Sequence, residues 1–457
     1  MPFYGKLRKA NVAGSSEEGM RGRTIAGLKT LRTALKAHFP AGGDRTRTVR
    51  IGTWNLREFG GNKHGGRKEY EPLYYMAEII SNFDIAAIQE VRANMVEFER
   101  LRDILGPDWD YLATDVTDGD AGNGERMVFL FNRRRAQFRN IAGELTLPEG
   151  KKVMASFGER LRLNSGARLN LPPGADLSGE YDARTAKKPD GSFKLDRDLE
   201  IPIPQGATLS LPDGCALAVV KNSKVHRPRT GVAAVQVPAG TVTGASYRLR
   251  LPGGTLDDTF EQFARTPYIV SFQAGWLKIN LCTVHIYFGD NEDPKLLQQR
   301  RDEIAALTDS LGARARDELE KDKEERTLTA VLGDFNILSK EHETMKALEN
   351  SGFVVPQKLK TIPGSNVAKD KAYDQIAFWE PDLPRGHVKV EITGAGVFDY
   401  YEHVYRLDQR ESYLPGATET KFKDWRTYKM SDHLPMWVEL TSDFSDEYLE
   451  LCAMAQP

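Results

Sequence analysis

The sequence predicts an α/β fold that is interrupted by a β-rich insertion. Between residues 48 and 142, short apolar runs typical of buried strands alternate with segments that have helical spacing. From 143 to 263 this pattern gives way to short alternating runs rich in Gly and Pro, typical of strands joined by tight turns. The first pattern resumes at 264. We therefore expect one α/β domain, formed by 48–142 and 264–457, that carries an inserted β-rich domain at 143–263.

Residues 1–47 are predicted to form a basic helical arm. The spacing of Ser15-Ser16-Glu17-Glu18 is that of a capping box, and the apolar periodicity that follows predicts a helix over 16–39. Residues 1–50 hold eleven Lys and Arg but three Asp and Glu, whereas the net charge of the whole chain is −2. Such an arm is able to bind a phosphate backbone, and an ordinary solvated helix face is the alternative.

The main domain shows nine apolar runs bounded by turn residues and four stretches with apolar residues on one helical face. Strands are expected near 49–54, 85–88, 109–114, 127–131, 268–272, 277–285, 328–332, 372–379 and 434–440. Helices are expected near 69–82, 94–105, 294–325 and 444–454.

Bulk composition excludes several classes of protein. No run of about 18 uncharged apolar residues is present, so no membrane span is expected. The N-terminus is not followed by an apolar signal core, which favours a cytoplasmic location. The three cysteines, Cys215, Cys282 and Cys452, are far apart, and this spacing favours reduced thiols over a disulfide framework or a zinc site.

Six short polar segments follow or interrupt the predicted strands, and each supplies an Asn, a carboxylate or a His. These segments are Thr53-Trp54-Asn55, Gln89-Glu90, Thr283-Val284-His285, Gly333-Asp334-Phe335-Asn336, Tyr373-Asp374-Gln375-Ile376 and Ser431-Asp432-His433. Taken singly, each residue has an ordinary explanation as a solvated loop residue, a turn cap or a buried polar group. Taken together, they can bind a hard divalent cation and polarise a phosphodiester.

In this order, the segments resemble those of the endonuclease/exonuclease/phosphatase superfamily, which includes deoxyribonucleases, abasic-site endonucleases, sphingomyelinases and inositol-phosphate phosphatases. The resemblance covers about 48–142 and 264–441, and Gly333-Asp334-Phe335-Asn336 and Ser431-Asp432-His433 are its most specific parts. It implies a four-layered α/β sandwich, in which two packed mixed β-sheets are flanked by helices.

The resemblance also implies a divalent cation, Mg²⁺ or Mn²⁺. Glu90 and Asp432 would be its carboxylate ligands, and Asn55 would be a neutral ligand at the end of the first strand. No covalent enzyme intermediate is needed in such a mechanism.

The remaining residues of the set are implied to act on water and phosphate. Asp334 would orient or deprotonate the attacking water, and Asn336 would hold a non-bridging phosphate oxygen. His433, oriented by Asp374, would contact the scissile phosphate, and His285 would contact it from the other side.

Local features favour nucleic acid as the substrate. Arg126 and Arg265 open or precede strands, as phosphate-contacting residues do in nuclease members, although surface arginines are an equal alternative. Cations alternate with aromatic rings just before Ser431, in a segment expected to form a loop. Its members are Lys421, Lys423, Trp425, Arg426, Tyr428 and Lys429. A second basic loop is expected at 62–68.

The motifs predict cleavage of a phosphoester and leave the substrate open. A nuclease for DNA or RNA is the favoured function. A phosphatase or phosphodiesterase for a small or lipid phosphate is the first alternative, and a non-catalytic nucleic-acid-binding module is the second. The inserted domain is a candidate site for a protein partner or for restricting access to the cleft.

Overall fold

The computed structural model describes most of the main domain and short strands of the insertion. The described residues are 2–5, 7, 16–39, 45–61, 69–116, 124–146, 263–289, 291–321, 327–380 and 390–454, with nine short strands inside 160–250. The predicted basic loop 62–68 lies outside these residues.

The chain divides into two compact units. One comprises 1–118, 123–146 and 265–457, and the other comprises 119–122 and 147–264. No helix in the described part of the chain is long and apolar enough to cross a membrane.

The first unit holds two sheets of six strands each. Its strands before the insertion are β1 (Thr48–Phe59), β2 (Ile85–Arg92), β3 (Trp109–Ala113), β4 (Glu125–Asn132) and β5 (Gln137–Glu144). The insertion contains β6 (Arg160–Leu163), β7 (Arg168–Asn170), β8 (Asp176–Ser178), β9 (Ser192–Lys194), β10 (Leu199–Pro202), β11 (Leu217–Ala218), β12 (Val225–His226), β13 (Thr241–Thr243) and β14 (Arg248–Arg250). The strands after it are β15 (Tyr268–Ala274), β16 (Leu277–His285), β17 (Leu328–Asp334), β18 (Phe353–Val354), β19 (Asp374–Trp379), β20 (Ile392–Val397) and β21 (Met436–Thr441).

Nine helices are described in the first unit. They are α1 (Ser16–His38), α2 (Tyr70–Ile80), α3 (Val96–Leu105), α4 (Pro294–Lys321), α5 (Glu343–Leu348), α6 (Gln357–Lys360), α7 (Arg410–Tyr413), α8 (Glu419–Lys429) and α9 (Ser445–Met454). Three short 3₁₀ helices lie at Asn350–Gly352, Tyr400–Glu402 and Leu407–Gln409.

The two sheets of the first unit are both mixed. The first has the order β20-β21-β1-β2-β4-β3, and the second has the order β18-β19-β17-β16-β15-β5. They pack face to face through their central strands, with contacts of β1 and β2 to β16 and β17. A buried hydrogen bond of 2.8 Å from Gln89 Nε2 to Thr283 Oγ1 joins the sheets directly.

Helices cover the outer face of each sheet. An apolar cluster formed by α1, α2 and α3 packs on the first sheet, with Leu31, Ile79 and Phe98 fully buried. On the second sheet, α4 buries Leu307 and Leu311 and binds β16 through a hydrogen bond from Asn280 to Glu318. The predicted four-layered α/β sandwich is confirmed.

The structure differs from the predicted strands in the length of β1 and in three additional strands. β1 does not end at Asn55 but continues to Phe59 through a bulge. The strands β5, β18 and β20 were not predicted, and all three are edge strands with largely exposed or alternating residues. Because β5 runs to Glu144, the second sheet extends two residues beyond the predicted start of the insertion.

The described residues of the insertion form three sheets of three antiparallel strands each. Their orders are β10-β6-β12, β11-β7-β9 and β13-β14-β8. Short strands of this kind are what the alternating runs predict.

The insertion should be removable without loss of the main fold. Glu144 and Tyr268 pair across β5 and β15, so the two ends of the main unit are neighbours and a short linker can join them. We expect a chain in which a Gly/Ser linker replaces 147–262 to keep a cooperative thermal melt, measured by circular dichroism against the full chain. Loss of that transition would show that the insertion is integral to the fold.

Candidate active site

The polar segments converge because they follow neighbouring strands. Asn55 and Gln89 are register partners on the parallel strands β1 and β2. His285 and Asp334 are partners on the parallel strands β16 and β17, and Asp334 also faces Asp374 across β17 and β19. The carboxyl ends of parallel strands meet at one edge of a sheet, so the packing of the two sheets brings both sets together.

Asn55 is the link between the two sets. Its Nδ2 donates to Glu90 Oε1 at 2.9 Å and to Asp334 Oδ2 at 3.0 Å, and its side chain is fully buried. A carboxylate from the end of each sheet is therefore held by one amide group.

Backbone conformation directs two of these side chains. Glu90 has a φ of +60° and Asn336 has a φ of +52°, in the left-handed region that non-glycine residues adopt infrequently. The carboxylate of Asp334 accepts the backbone N–H of Asn336 at 2.9 Å and so stabilises the turn. Gly333 precedes it with a φ of +139°, where a Cβ would lie 2.2 Å from the carbonyl oxygen of Val284. Only glycine permits this close approach of β16 and β17.

His433 and Asp374 form the first of two buried pairs. His433 Nδ1 lies 2.8 Å from Asp374 Oδ2, and the backbone N–H of His433 donates to the hydroxyl of Ser431. The Ser431 hydroxyl in turn donates to the carbonyl of Asn55 at 2.6 Å, which locks this segment onto β1. Asp374 is the residue that was expected to orient His433.

His285 and Glu125 form the second pair, which the sequence did not predict. His285 Nδ1 lies 2.7 Å from Glu125 Oε2, and both side chains are buried. Glu125 begins β4, next to Arg126, the residue that was expected to act here. Successive residues of a strand point to opposite faces, so of these two neighbours Glu125 is the one that lies inside.

The two pairs point at the same oxygen atom. His433 Nε2 is 3.5 Å from Asp334 Oδ2, and His285 Nε2 is 3.6 Å from it. His285 Nε2 is also 3.9 Å from Glu90 Oε1. Each imidazole is thus held by a carboxylate at Nδ1, and its other nitrogen faces one shared reaction space.

Electrostatics favour the charged forms of both histidines. Burial lowers the pKa of His433, but Asp374 and Asp334 outweigh it and raise this pKa well above the ordinary value. Burial and Arg265 lower the pKa of His285, but Glu125 and Asp334 raise it above the ordinary value. Burial raises the pKa of Glu125, yet His285 and Arg265 bring it down to about 2.

The same histidines lower the pKa of Asp334. Burial raises the pKa of its carboxyl group, but His433, His285 and the hydrogen bonds from Asn336 and Asn55 lower it below the ordinary value. The electrostatics therefore favour the anionic form of Asp334 and the protonated forms of both histidines.

Asn336 lies beside this cluster but is partly engaged. Its Nδ2 donates to the carbonyl of Ile286 at 2.7 Å, which leaves the second hydrogen of the amide for a ligand. Arg300, fully buried, donates to the carbonyl of Asn336 at 2.9 Å and supports the loop from behind.

Asp432 stands apart from the buried cluster. Its side chain is 44% exposed, and its Oδ2 lies 3.4 Å from Nε of Arg57. It neighbours the cluster closely enough to raise the pKa of His433.

The two arginines predicted to contact phosphate differ in their surroundings. Arg126 Nη1 donates to the carbonyl of Thr114 at 2.8 Å and lies 3.5 Å from the carboxylate of Asp115. Arg265 is buried, with Nε 3.0 Å from Glu125 Oε2. Its Nη1 has no hydrogen-bond partner among the described residues, so a buried cationic donor remains for an anion.

The expectation of a basic-aromatic loop before Ser431 was wrong, because 419–429 forms the helix α8. Trp425 packs against Tyr405, Tyr413 and Phe422, and Arg426 is buried against the ring of Tyr401. Tertiary packing of these rings overrides the strongly polar composition that favoured a loop.

The lysines of α8 remain nearer to solvent. Lys421 and Lys423 are exposed, and Lys423 pairs with Glu419 at 2.6 Å. Lys429 lies 3.6 Å from Glu69 and above the ring of Trp425.

The donor set suits a hard divalent cation that keeps part of its water shell. Among the described residues, no three His, Cys, Asp or Glu side chains gather into a closed metal cage. Magnesium is commonly bound through one or two carboxylates and water. The half-buried Glu90 and the partly exposed Asp432 supply such carboxylates, with Asn55 as a neutral neighbour of Glu90.

The proteins similar to this chain are found among solved structures. No protein-family model matches the chain, and no curated protein matches it. It is similar to an endonuclease/exonuclease/phosphatase family protein from Bacteroides thetaiotaomicron, with 12% identity, coverage of 87% of this chain and 95% of that chain, and a TM-score of 0.39. It is similar to the human Nocturnin catalytic domain, with 11% identity, coverage of 86% and 94%, and a TM-score of 0.39. It is also similar to D. rerio TDP2 in complex with single-strand DNA product, with 10% identity, coverage of 86% and 99%, and a TM-score of 0.40.

The fold brings the predicted polar segments together. Two packed six-stranded sheets bring five of the predicted segments to one buried cluster, and the sixth, Ser431-Asp432-His433, supplies one of its histidines. This is the four-layered arrangement that the resemblance to the endonuclease/exonuclease/phosphatase superfamily implies.

Proposed function

We propose that the protein is a divalent-metal-dependent phosphodiesterase and that its substrate is a nucleic acid. The observation that carries the proposal is the approach of His433 Nε2 and His285 Nε2 to one oxygen of Asp334 from separate carboxylate-held rings. Two imidazolium donors around one carboxylate suit a phosphodiester that is attacked by water.

The residues have complementary roles in this hydrolysis. Asp334 orients a water molecule and takes its proton as the new oxygen–phosphorus bond forms. Because the pKa of Asp334 is lowered, its larger contribution is to orientation. The bond from phosphorus to the leaving oxygen breaks, and a histidine Nε2 proton passes to that oxygen. His285 is the candidate donor, while His433 stabilises charge on the non-bridging oxygens, together with the amide of Asn336.

Glu90, Asp432 and Asn55 are the residues that would hold Mg²⁺ or Mn²⁺. When bound, the cation neutralises charge that develops on the phosphoryl group and the leaving oxygen.

Activity should require Mg²⁺ or Mn²⁺ and should be abolished by chelation, because Glu90 and Asp432 place negative charge where the phosphoryl group would add more. The measurement is hydrolysis of labelled single-stranded and double-stranded oligonucleotides with and without excess EDTA, followed by restoration with Mg²⁺. Full turnover in EDTA would reject the metal-dependent mechanism.

A nucleic-acid substrate is supported by the position of α8. This helix ends two residues before Ser431, so its exposed Lys421 and Lys423 lie close in sequence to the catalytic segment. A polynucleotide that passes the reaction space can use such cations as phosphate contacts. Base stacking on Trp425 has little support, because its ring is already packed against three aromatic neighbours.

The same packing favours one alternative. With Trp425 and Arg426 engaged inside the domain, fewer groups remain to recognise a long polymer. A phosphatase or phosphodiesterase of a small or lipid phosphate is therefore the second candidate. The inserted domain stays a candidate site for a protein partner in either case.

The double variant Lys421→Ala/Lys423→Ala distinguishes the two candidates. For a nuclease, the removal of each cation that binds a phosphate should make the slope of log K against log salt shallower by about 0.7–0.9. The value of KM should rise for an oligonucleotide but stay unchanged for a small chromogenic phosphodiester. The matched control is Lys321→Ala, another exposed lysine that pairs within its own helix, α4. Equal effects on both substrates, or none on either, would favour the small-phosphate alternative.

A further inference from the structure

The end of β1 contains an unusual bulge beside the site. The register of β1 with β2 shifts between Asn55 and Phe59. Within it, Arg57 has a φ of +42° and Glu58 a φ of +51°. Two successive non-glycine residues in the left-handed region are strained, and such strain persists where surrounding contacts impose it.

Three donors of this bulge contact the three residues predicted to bind the cation. The backbone N–H of Arg57 donates to Asn55 Oδ1 at 2.9 Å, and that of Glu58 donates to Glu90 Oε2 at 2.8 Å. The third donor is Nε of Arg57, which lies 3.4 Å from Asp432 Oδ2. The bulge is thus an outer shell around the whole predicted ligand set.

These donors differ in charge. The two backbone amides are neutral, and each carboxylate or amide oxygen that they contact has a second lone pair for a cation. The guanidinium of Arg57 carries a full positive charge, so its contact with Asp432 opposes a divalent cation that uses the same carboxylate.

Arg57 is held in this position from the other side. Its Nη1 donates to the hydroxyl of Thr427, and its guanidinium carbon lies 3.8 Å from the centre of the Tyr428 ring. Both partners belong to α8, so the helix fixes the arginine next to Asp432.

We propose that Arg57 competes with the divalent cation for Asp432 and is thereby a positioning residue that sets the affinity of the metal site. This inference rests on the proposed metal-dependent function. Without the cation, Arg57 keeps Asp432 oriented at the cleft. When the cation binds, Asp432 exchanges the guanidinium for the metal, and the affinity is lower than the same carboxylates would provide without the arginine.

The test is Mn²⁺ binding measured by electron paramagnetic resonance of the free ion, which does not depend on activity. Arg57→Gln should bind Mn²⁺ about threefold to fivefold more tightly, the size expected when Asp432 is released from a partly exposed ion pair. Arg57→Lys keeps the charge and should stay close to the wild type. Asp432→Asn should bind more weakly.

The double variant Arg57→Gln/Asp432→Asn isolates the pair. If Arg57 acts through Asp432, the double variant should bind Mn²⁺ like Asp432→Asn alone. Equal or weaker binding by Arg57→Gln, or the same gain from it with and without Asp432, would overturn the proposal. Should Arg57→Gln not give a cooperative melt, Arg57→Asn replaces it, because Asn tolerates a positive φ.

Glu90→Gln separates this inference from the function on which it rests. Suppose that Glu90→Gln loses Mn²⁺ binding but Arg57→Gln binds Mn²⁺ no more tightly than the wild type. This result would contradict the proposed competition between Arg57 and the cation, but it would support the metal site itself. The same Mn²⁺ affinity in the wild type, Glu90→Gln and Asp432→Asn would overturn both.

Discussion

Replacing either His285 or His433 by alanine should lower kcat by at least about 10²-fold, the usual contribution of a positioned acid or an electrostatic donor. Each ring is buried, is held at Nδ1 by a carboxylate and directs Nε2 at Asp334, so each supplies a positioned donor to the reaction space. The measurement is single-turnover hydrolysis of the preferred substrate at saturating Mg²⁺.

Thermal melting must accompany these rates, because each substitution leaves a buried carboxylate without its partner. His342→Asn is the matched control. That histidine caps α5 through Nδ1, and Asn is a good capping residue, so kcat should not change. A variant of His285 or His433 with a near-normal rate would remove that residue from the mechanism.

The second large effect is expected in the pH profile of kcat/KM of the variants Asp374→Asn and Glu125→Gln. The folded-state pKa of each histidine is raised, so the imidazolium form is present at low pH and is lost as the pH rises through that raised value. Removing the carboxylate leaves burial dominant, and the pKa of the histidine should fall. We expect the alkaline limb of the kcat/KM profile to move to lower pH by at least about one unit.

At neutral pH the same change should lower kcat by up to about tenfold for each unit by which the pKa of the histidine falls, because a smaller fraction of the imidazole is then protonated. Imidazole titration by NMR gives an independent value of the pKa in each variant. Unchanged alkaline limbs in both variants would show that the activity does not depend on the charged histidines that these carboxylates hold.

The predicted positions of the site segments followed from local patterns. Asn55, Glu90, His285 and Asp334 each end or follow an apolar run long enough for one buried strand. Their positions at strand ends, their order in the chain and the resemblance to the superfamily together predicted that these side chains form one site.

The partner of His285 could not be predicted in this way. Glu125 and Arg126 are neighbours in the sequence, and either could have faced inward. The choice depends on the register of β4 against β2, in which a bulge shifts the pairing between Ile88 and Val91. A one-residue shift of this kind reverses which side chains face the core, and the local sequence does not encode it.

The structure of the segment before Ser431 also depends on packing against residues that are distant in the sequence. The segment that carries Trp425 alternates cations with aromatic rings, a pattern typical of a nucleic-acid-binding loop. In the structure this segment is a helix, and Trp425 packs against Tyr405 and Tyr413. Asp432 was predicted to bind metal, and the structure adds Arg57 as its present partner.

By itself, the sequence determined the layered α/β class, the interruption by a β-rich segment and the order of the polar segments at the strand ends. These depend on periodicity and on residues at strand ends, which are local properties of the chain. Only the tertiary structure decided that Glu125 serves His285, that Arg265 lies behind it and that Arg57 faces Asp432. Those contacts join residues far apart in the chain, and they depend on strand register, bulges and the packing of one sheet on the other.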